Sequence, residues 1–428
     1  MDDVLHILIA DYVPIANKGE EAIVRGIEDL LSEGPPVAIG LFDDVPDVTV
    51  RGNITAFPRD WVFRFEGNSA LSRRSRVLLQ AWIAARLQVG SYGSLKNLIP
   101  TGNEKYRPLH EFFERARYVL VGHDGVFCVE SCGILRLAKK YGKRAGILGA
   151  STGIGGGRLY KAGLYRRAIE DSDFCVFREE HSCQSMKHVC RDPNKLRVAP
   201  DPAFAMRPEP PEAASEILER NECYHRARQA GRPMVAVTAL EKGRVYAGFR
   251  PDLQGHAKQQ AHAAYLAAIL GALVARYGVF LLFLPHSVEP NGNDIVAARH
   301  VVEEMKPRPG DYTILEDDCG ARLLKSIVGQ CDFLVGERTH SLIGAVSMGT
   351  PFAAMTNRQD TRTHGIIGQM CRCELQIIDM DAIGQTEATQ TICGLFERRD
   401  AIRRSLESVR TDLASQIEAI ACMVKGMP

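Results

Sequence analysis

Short apolar runs alternate along this chain with longer segments whose apolar positions recur at helical spacing. Val4 to Ala10 reads as a strand, and Glu20 to Leu31 sets Ala22, Ile23, Ile27, Leu30 and Leu31 on one helix face. Val37 to Phe42 and a run near Ile54 predict further strands. From Ala116 the alternation resumes: strand Tyr118 to Val121, helix Ile134 to Lys140, strand Arg144 to Leu148, helix Leu159 to Asp171, strand Phe174 to Phe177 and helix Ser182 to Val189. Continuous apolar strands between helices predict a parallel, doubly wound sheet.

The segment from Trp61 to about His110 breaks this rhythm. It holds both tryptophans, Trp61 and Trp82, together with Arg64, Arg73, Arg74, Arg76 and Arg86. Such a segment is either a helical excursion over the sheet with wet arginines, or a peripheral membrane contact through 61–88. Pro208 to Glu212 reads as a proline-rich linker. A second alternating unit follows, with strands at Met234 to Thr238, Val279 to Leu284, Thr313 to Leu315, Phe333 to Val335, Phe352 to Met355 and Gln376 to Ile378. Helices near Gln259 to Tyr277, Ile295 to Lys306 and Ala321 to Val328 separate them, and Glu387 to Met423 is helical and charged. The expected fold is α/β: two Rossmann-like doubly wound lobes of the GT-B type, with a cleft between them and a C-terminal helical segment. The expected boundaries are 1–207 for an acceptor-side lobe, 208–232 for a linker and lead-in, 233–385 for a donor-side lobe and 386–428 for the closing helices.

Composition narrows the function classes. The 428 residues are 45% hydrophobic and 25% charged, with a net charge of +1; this is an ordinary globular balance with no electrostatic case for nucleic acid. No basic leader precedes the first strand, and no apolar run nears the ~20 residues of a membrane helix. The expected location is the cytoplasm, at the inner face of the membrane if 61–88 binds there. Twelve cysteines form no C-x-x-C pairs, so reduced structural thiols are expected and neither metal nor cofactor is.

The chemistry-bearing residues collect where strands end, which is where ligands bind in open α/β sheets. After Phe333 to Val335 stand Gly336, Glu337, Arg338, Thr339, His340 and Ser341, opening a helix that Gly349 and Pro351 close. A cation and an imidazole at a strand–helix junction suit an anion; equally, Arg338 can pair with Glu337 while His340 caps the helix. Arg178, before Glu179 and Glu180, has the same placement, as anion fork or ion pair. His286 follows the strand ending at Leu284, with Asn293 and Asp294 before the next helix. It is an acid/base, a phosphate ligand or a structural histidine. Asn17, Lys18, Gly19 and Glu20 follow the first strand, where capping is the alternative to ligand binding. Gly122, His123 and Asp124, and Gly149 to Gly153 with Ser151, form two glycine-rich turns. Asp360, Arg362 and His364 are a weaker cluster.

The ordered set Asn17-Lys18-Gly19-Glu20-Glu21-Ala22, the Gly122 loop, Gly149 to Gly153, Phe177-Arg178-Glu179 with Ser182, Pro200-Asp201-Pro202, Pro285-His286 and Gly336 to Ser341 resembles the polysaccharide pyruvyltransferase family. The chain departs from it at His123-Asp124, where a glycine triplet is more usual, and in the arginine-rich insertion. The resemblance implies transfer of a pyruvyl unit from phosphoenolpyruvate onto two hydroxyls of one sugar, polymeric or lipid-linked, as a cyclic ketal. It implies that Arg178 and Arg338, with Gly336 and Ser341, hold the donor, and that His340 and His286 transfer protons. Asn17, Lys18, Gly19, Glu20, His123, Asp124, Ser151 and Asn293 are expected on the acceptor or cleft side. A nucleotide-sugar glycosyltransferase and a non-catalytic exopolysaccharide assembly protein are the alternatives.

Overall fold

The computed structural model describes residues 4–32, 35–62, 104–122, 129–151, 159–289 and 292–427. These divide into two compact units. The first comprises residues up to Ile15, Ile27–Pro202 and Ile417 onward; the second comprises Ala16–Gly26 and Ala203–Gln416. The division runs through the helix Lys18–Leu31 and again through the helix Arg399–Lys425. Residues 16–26 therefore pack with the second unit, for reasons that lie in its site.

The first unit is built on an eight-stranded sheet. In chain order its strands are β1 (Leu5–Tyr12), β2 (Val37–Asp43), β3 (Thr49–Arg51), β4 (Ile54–Pro58), β5 (Tyr118–Val121), β6 (Arg144–Ala150), β7 (Phe174–Phe177) and β8 (Leu196–Val198). They run β3-β4-β2-β1-β5-β6-β7-β8 across the sheet. All neighbours are parallel except the short edge pair β3 and β4. The central strands β5 and β7 are buried along their whole length. This is why their sequence is uninterruptedly apolar: helices cover both faces of a parallel sheet.

The second unit has a six-stranded, fully parallel sheet of β9 (Met234–Thr238), β10 (Phe280–Phe283), β11 (Tyr312–Ile314), β12 (Phe333–Gly336), β13 (Phe352–Thr356) and β14 (Ile377–Asp379). Its order is β11-β10-β9-β12-β13-β14. β9, β10 and β12 are central neighbours, so the residues after them converge at one end of the sheet. The 208–232 stretch carries two helices, Pro211–Glu219 and Glu222–Gln229. Pro211 suits the first helical position, where its missing N–H costs nothing. Two helices, Gln385–Glu397 and Arg399–Lys425, make up the closing segment.

Cys175 and Cys331 are free thiols, and burial pushes both up to about 12. No helix of the described residues is long and apolar enough to cross a membrane. Residues 63–103, which hold most of the arginine-rich segment behind the expected membrane contact, lie outside the described residues, as do His123 and Asp124.

Candidate functional site

In the first unit, Arg178 follows β7 directly and is completely buried. Its Nη1 donates to Asp201 Oδ2 at 2.8 Å and its Nε to Ser151 Oγ at 2.6 Å. Ser151 in turn donates to Glu179 Oε2 at 2.9 Å, and Ser182 donates to Glu179 Oε1. The partner carboxylate is thus Asp201, from the end of β8, rather than the adjacent Glu179 or Glu180. With no exposed surface and with carboxylate and hydroxyl partners on its fork, Arg178 fastens β6, β7 and the chain after β8 together, and Ser151 is part of the same fastening. Gly149 serves the turn as well. Its φ of +76° is unfavourable for other residues, and a Cβ there would lie 2.6 Å from Pro202.

The second unit brings together what the sequence scatters. Asn17 forms an antiparallel bridge with Ser287, and Lys18 N–H donates to the His286 carbonyl at 2.7 Å. Asn17 Oδ1 accepts from Gly19 N–H at 3.0 Å, capping the helix that starts at Lys18. Lys18 Nζ pairs with Asp318 Oδ1 at 2.6 Å. Glu21 Oε2 accepts from Ala321 N–H at 3.2 Å, where the helix Ala321–Gly329 begins behind a glycine that offers no side-chain cap. These contacts hold residues 16–26 in the second unit.

A recess beneath this strap is lined by Lys18, His286, Lys325, His340 and Ser341 among apolar residues that include Ala22, Ala203 and Leu324. Lys325 is committed elsewhere, donating to the carbonyls of Ala203 at 3.3 Å and Met206 at 2.5 Å. His286 has no such engagement. It is 6% exposed, and neither ring nitrogen has a hydrogen-bond partner among the described residues. Burial, with Arg338, His340 and Lys18 nearby, pushes its imidazole down to about 3. It is therefore neutral near neutral pH, with one nitrogen to donate and one to accept. A buried imidazole with two idle nitrogens is costly unless a ligand or water completes it.

Arg338 ends the turn after β12 and precedes the helix Thr339–Met348, whose first turn has no side-chain cap. Its Nε and Nη2 pair with the two oxygens of Asp294 at 3.0 and 2.5 Å, leaving Nη1 for another partner. Asp294 is itself buried, and its Oδ2 also accepts from the N–H groups of His286 and Ser287, both at 2.9 Å. Burial raises the Asp294 pKa while Arg338 opposes the rise. One carboxylate therefore fixes the His286 turn and the Arg338 side chain together. Asn293 caps the following helix by accepting from Ile295 N–H at 2.9 Å.

Ser341 Oγ donates to the Arg338 carbonyl at 2.7 Å and lies 3.0 Å from Thr238 Oγ1, so it closes the turn internally. Gly336 ends β12, where a Cβ would come within 3.1 Å of Ser341 Oγ. Gly19 passes so near His340 that a Cβ on it would lie 2.4 Å from Nδ1. Glu20 is buried at the start of the same helix. The sequence reading missed Asp294 as more than a helix cap, and its only signal was an Asn-Asp pair after a histidine turn. Among the described residues no cluster of three or more His, Cys, Asp or Glu is placed to hold a metal ion.

Comparison with known proteins bears on both fold and family. A family model described as polysaccharide pyruvyl transferase matches residues 17–359. No curated protein sequence matches the chain. Among solved structures, trehalose-6-phosphate synthase OtsA is similar with a TM-score of 0.52 at 12% identity, covering 99% of this chain and 98% of its own. The UDP-GlcNAc 2-epimerase of Neisseria meningitidis, bound to UDP-GlcNAc, has a TM-score of 0.51 at 10% identity, with 98% and 99% covered. An α,α-trehalose-phosphate synthase (UDP-forming) from Burkholderia vietnamiensis gives the same score, identity and coverage. At such identities the likeness is one of fold, and the fold is that of GT-B enzymes.

Proposed function

The chain belongs to the polysaccharide pyruvyl transferase family, and from that membership we propose that it moves a pyruvyl unit from phosphoenolpyruvate onto two hydroxyls of one sugar. The acceptor in this reading is a polysaccharide or a lipid-linked precursor of one. The observation that carries the proposal is the state of His286: enclosed, neutral, unpartnered on both nitrogens, and set among Arg338, Lys18 and His340. Such a recess, at a helix start with no side-chain cap, suits a small anion.

In this mechanism the donor's phosphate or carboxylate lies against Arg338 Nη1, the Lys18 ammonium and the first turn of the helix Thr339–Met348. His340 delivers a proton to the donor's methylene carbon, which leaves an oxocarbenium-like centre on the neighbouring carbon. A sugar hydroxyl attacks that centre and gives up its proton, and inorganic phosphate departs. The second hydroxyl then closes the ring, so donor and diol become ketal and phosphate with no oxidant or reductant. His286, being neutral, donates one hydrogen bond and accepts another, serving as ligand to the anion or as acceptor for a hydroxyl proton. Arg178 serves as internal fastening rather than as a donor-binding fork.

Phosphoenolpyruvate is expected to raise the unfolding temperature, since a ligand that binds the folded form stabilises it. Stabilisation by UDP or GDP in its place would favour a nucleotide-sugar glycosyltransferase and sink the proposal. Mass spectrometry of acceptor glycans should then show a gain of pyruvic acid less water.

Gly19→Ala gives a sharper check on the site. Gly19 stands in the first turn of its helix, where alanine's mid-helix advantage is small, and the crowding costs about 1–3 kcal/mol, so stability should fall modestly. The new methyl would collide with the His340 ring, so turnover should fall by about tenfold or more. Normal turnover in this variant would mean that His340 is not poised where the mechanism needs it.

A further inference from the structure

One buried pair touching the same turn takes no part in the chemistry above. Glu337 stands between Gly336 and Arg338, is 2% exposed, and does not pair with its arginine neighbour. Its Oε2 accepts from Leu240 N–H at 2.7 Å, and its Oε1 lies 2.6 Å from Nε2 of His262, itself buried on the helix Gly255–Tyr277. The Glu337 main-chain N–H donates to the Thr238 carbonyl at 3.1 Å and lies 3.2 Å from Thr238 Oγ1. The His262 ring is set edge-on against Tyr246 and Phe249, each with a centroid separation of 5.2 Å. Aromatic packing thus fixes the imidazole, the imidazole holds the carboxylate, and the carboxylate belongs to the residue between Gly336 and Arg338.

We propose that His262 is a positioning residue: clasped by Tyr246 and Phe249, it anchors Glu337 and thereby sets where Arg338 and His340 stand. Packing alone would be served as well by an apolar side chain of similar size. The hydrogen bond has a further consequence, because without it Glu337 Oε1 is a buried acceptor facing nothing. The turn must then shift, admit water or take up a proton, and each outcome moves the residues mounted on it. The kinetic side of this inference rests on the pyruvyl-transfer reading; the geometric side does not.

The test uses full-length protein with ¹³C-labelled histidine, the His340 resonance being assigned by its loss in His340→Ala. In His262→Ala that resonance should move, and phosphoenolpyruvate turnover should fall about tenfold in kcat with a smaller change in KM. His262→Gln keeps a donor toward Glu337 and should restore both. An unmoved His340 signal in folded His262→Ala would overturn the proposal, as would a glutamine variant no better than alanine. If His262→Ala does not fold, His262→Gln decides alone: a wild-type His340 signal supports the anchor, and a displaced one refutes it. A parent protein that turns over no phosphoenolpyruvate with its acceptor would instead overturn the pyruvyl-transfer reading, while the resonance test stands.

Discussion

Asp294→Ala is expected to destabilise the protein by about 3–5 kcal/mol, the range for removing one partner of a buried ion pair. Three groups lose their acceptor at once: the Arg338 guanidinium and the N–H groups of His286 and Ser287. The Arg338 side chain keeps 19% of its exposure, so water relieves part of its loss. The two amides have no such relief in a turn that is otherwise buried, and each orphaned donor costs roughly 1–3 kcal/mol. Against a total stability of roughly 5–15 kcal/mol this is a large fraction. Asp294→Asn should cost less, because its amide oxygen still accepts from the turn, although its NH2 then faces the Arg338 Nη2 donor in place of the second carboxylate oxygen. Urea denaturation of both variants decides the matter. A loss below about 1 kcal/mol for alanine would mean that the carboxylate is not the hub its contacts describe.

Much of this architecture is legible in the sequence, and the illegible parts have physical reasons. Central strands such as Phe174–Phe177 and Phe333–Gly336 are buried along their length, so their apolar runs stand out. The edge strands Thr49–Arg51 and Leu196–Val198 are three residues each, with exposed or half-exposed positions, and carry too little pattern to read. At the site, strand ends marked His286, Arg338 and His340, and the fold does bring them to one place with Lys18. What adjacency misjudged was ion pairing. Glu337 and Arg338 are consecutive at the end of a strand, where successive side chains leave in opposite directions; one reaches His262 and the other Asp294. Arg178 likewise passes over Glu179 and Glu180 for Asp201. These partners lie 23 to 75 residues away in the chain, and only the winding of the sheet makes them neighbours.

His340→Ala should lower kcat for pyruvyl transfer by about 10²–10⁴-fold, the usual contribution of a positioned proton-transfer group, while leaving the fold intact. The second expectation follows from its location. His340 is only partly buried, in the first turn of the helix Thr339–Met348, where losing an imidazole opens no sealed core. Binding should suffer less than chemistry. Arg338, Lys18 and the uncapped helix start remain in place to hold the anion, so KM for phosphoenolpyruvate should move less than kcat. His286 cannot take over the acid role. Burial and its cationic neighbours hold it near 3, so at neutral pH it has no proton beyond that of the neutral ring to give. The two histidines should therefore separate in their effects: His286→Ala disturbs anion binding and the recess, whereas His340→Ala removes the proton donor. Steady-state kinetics on folded variants would distinguish them. Retention of kcat within about tenfold in His340→Ala would shift the acid role to another group and dissolve the assignment on which the mechanism turns.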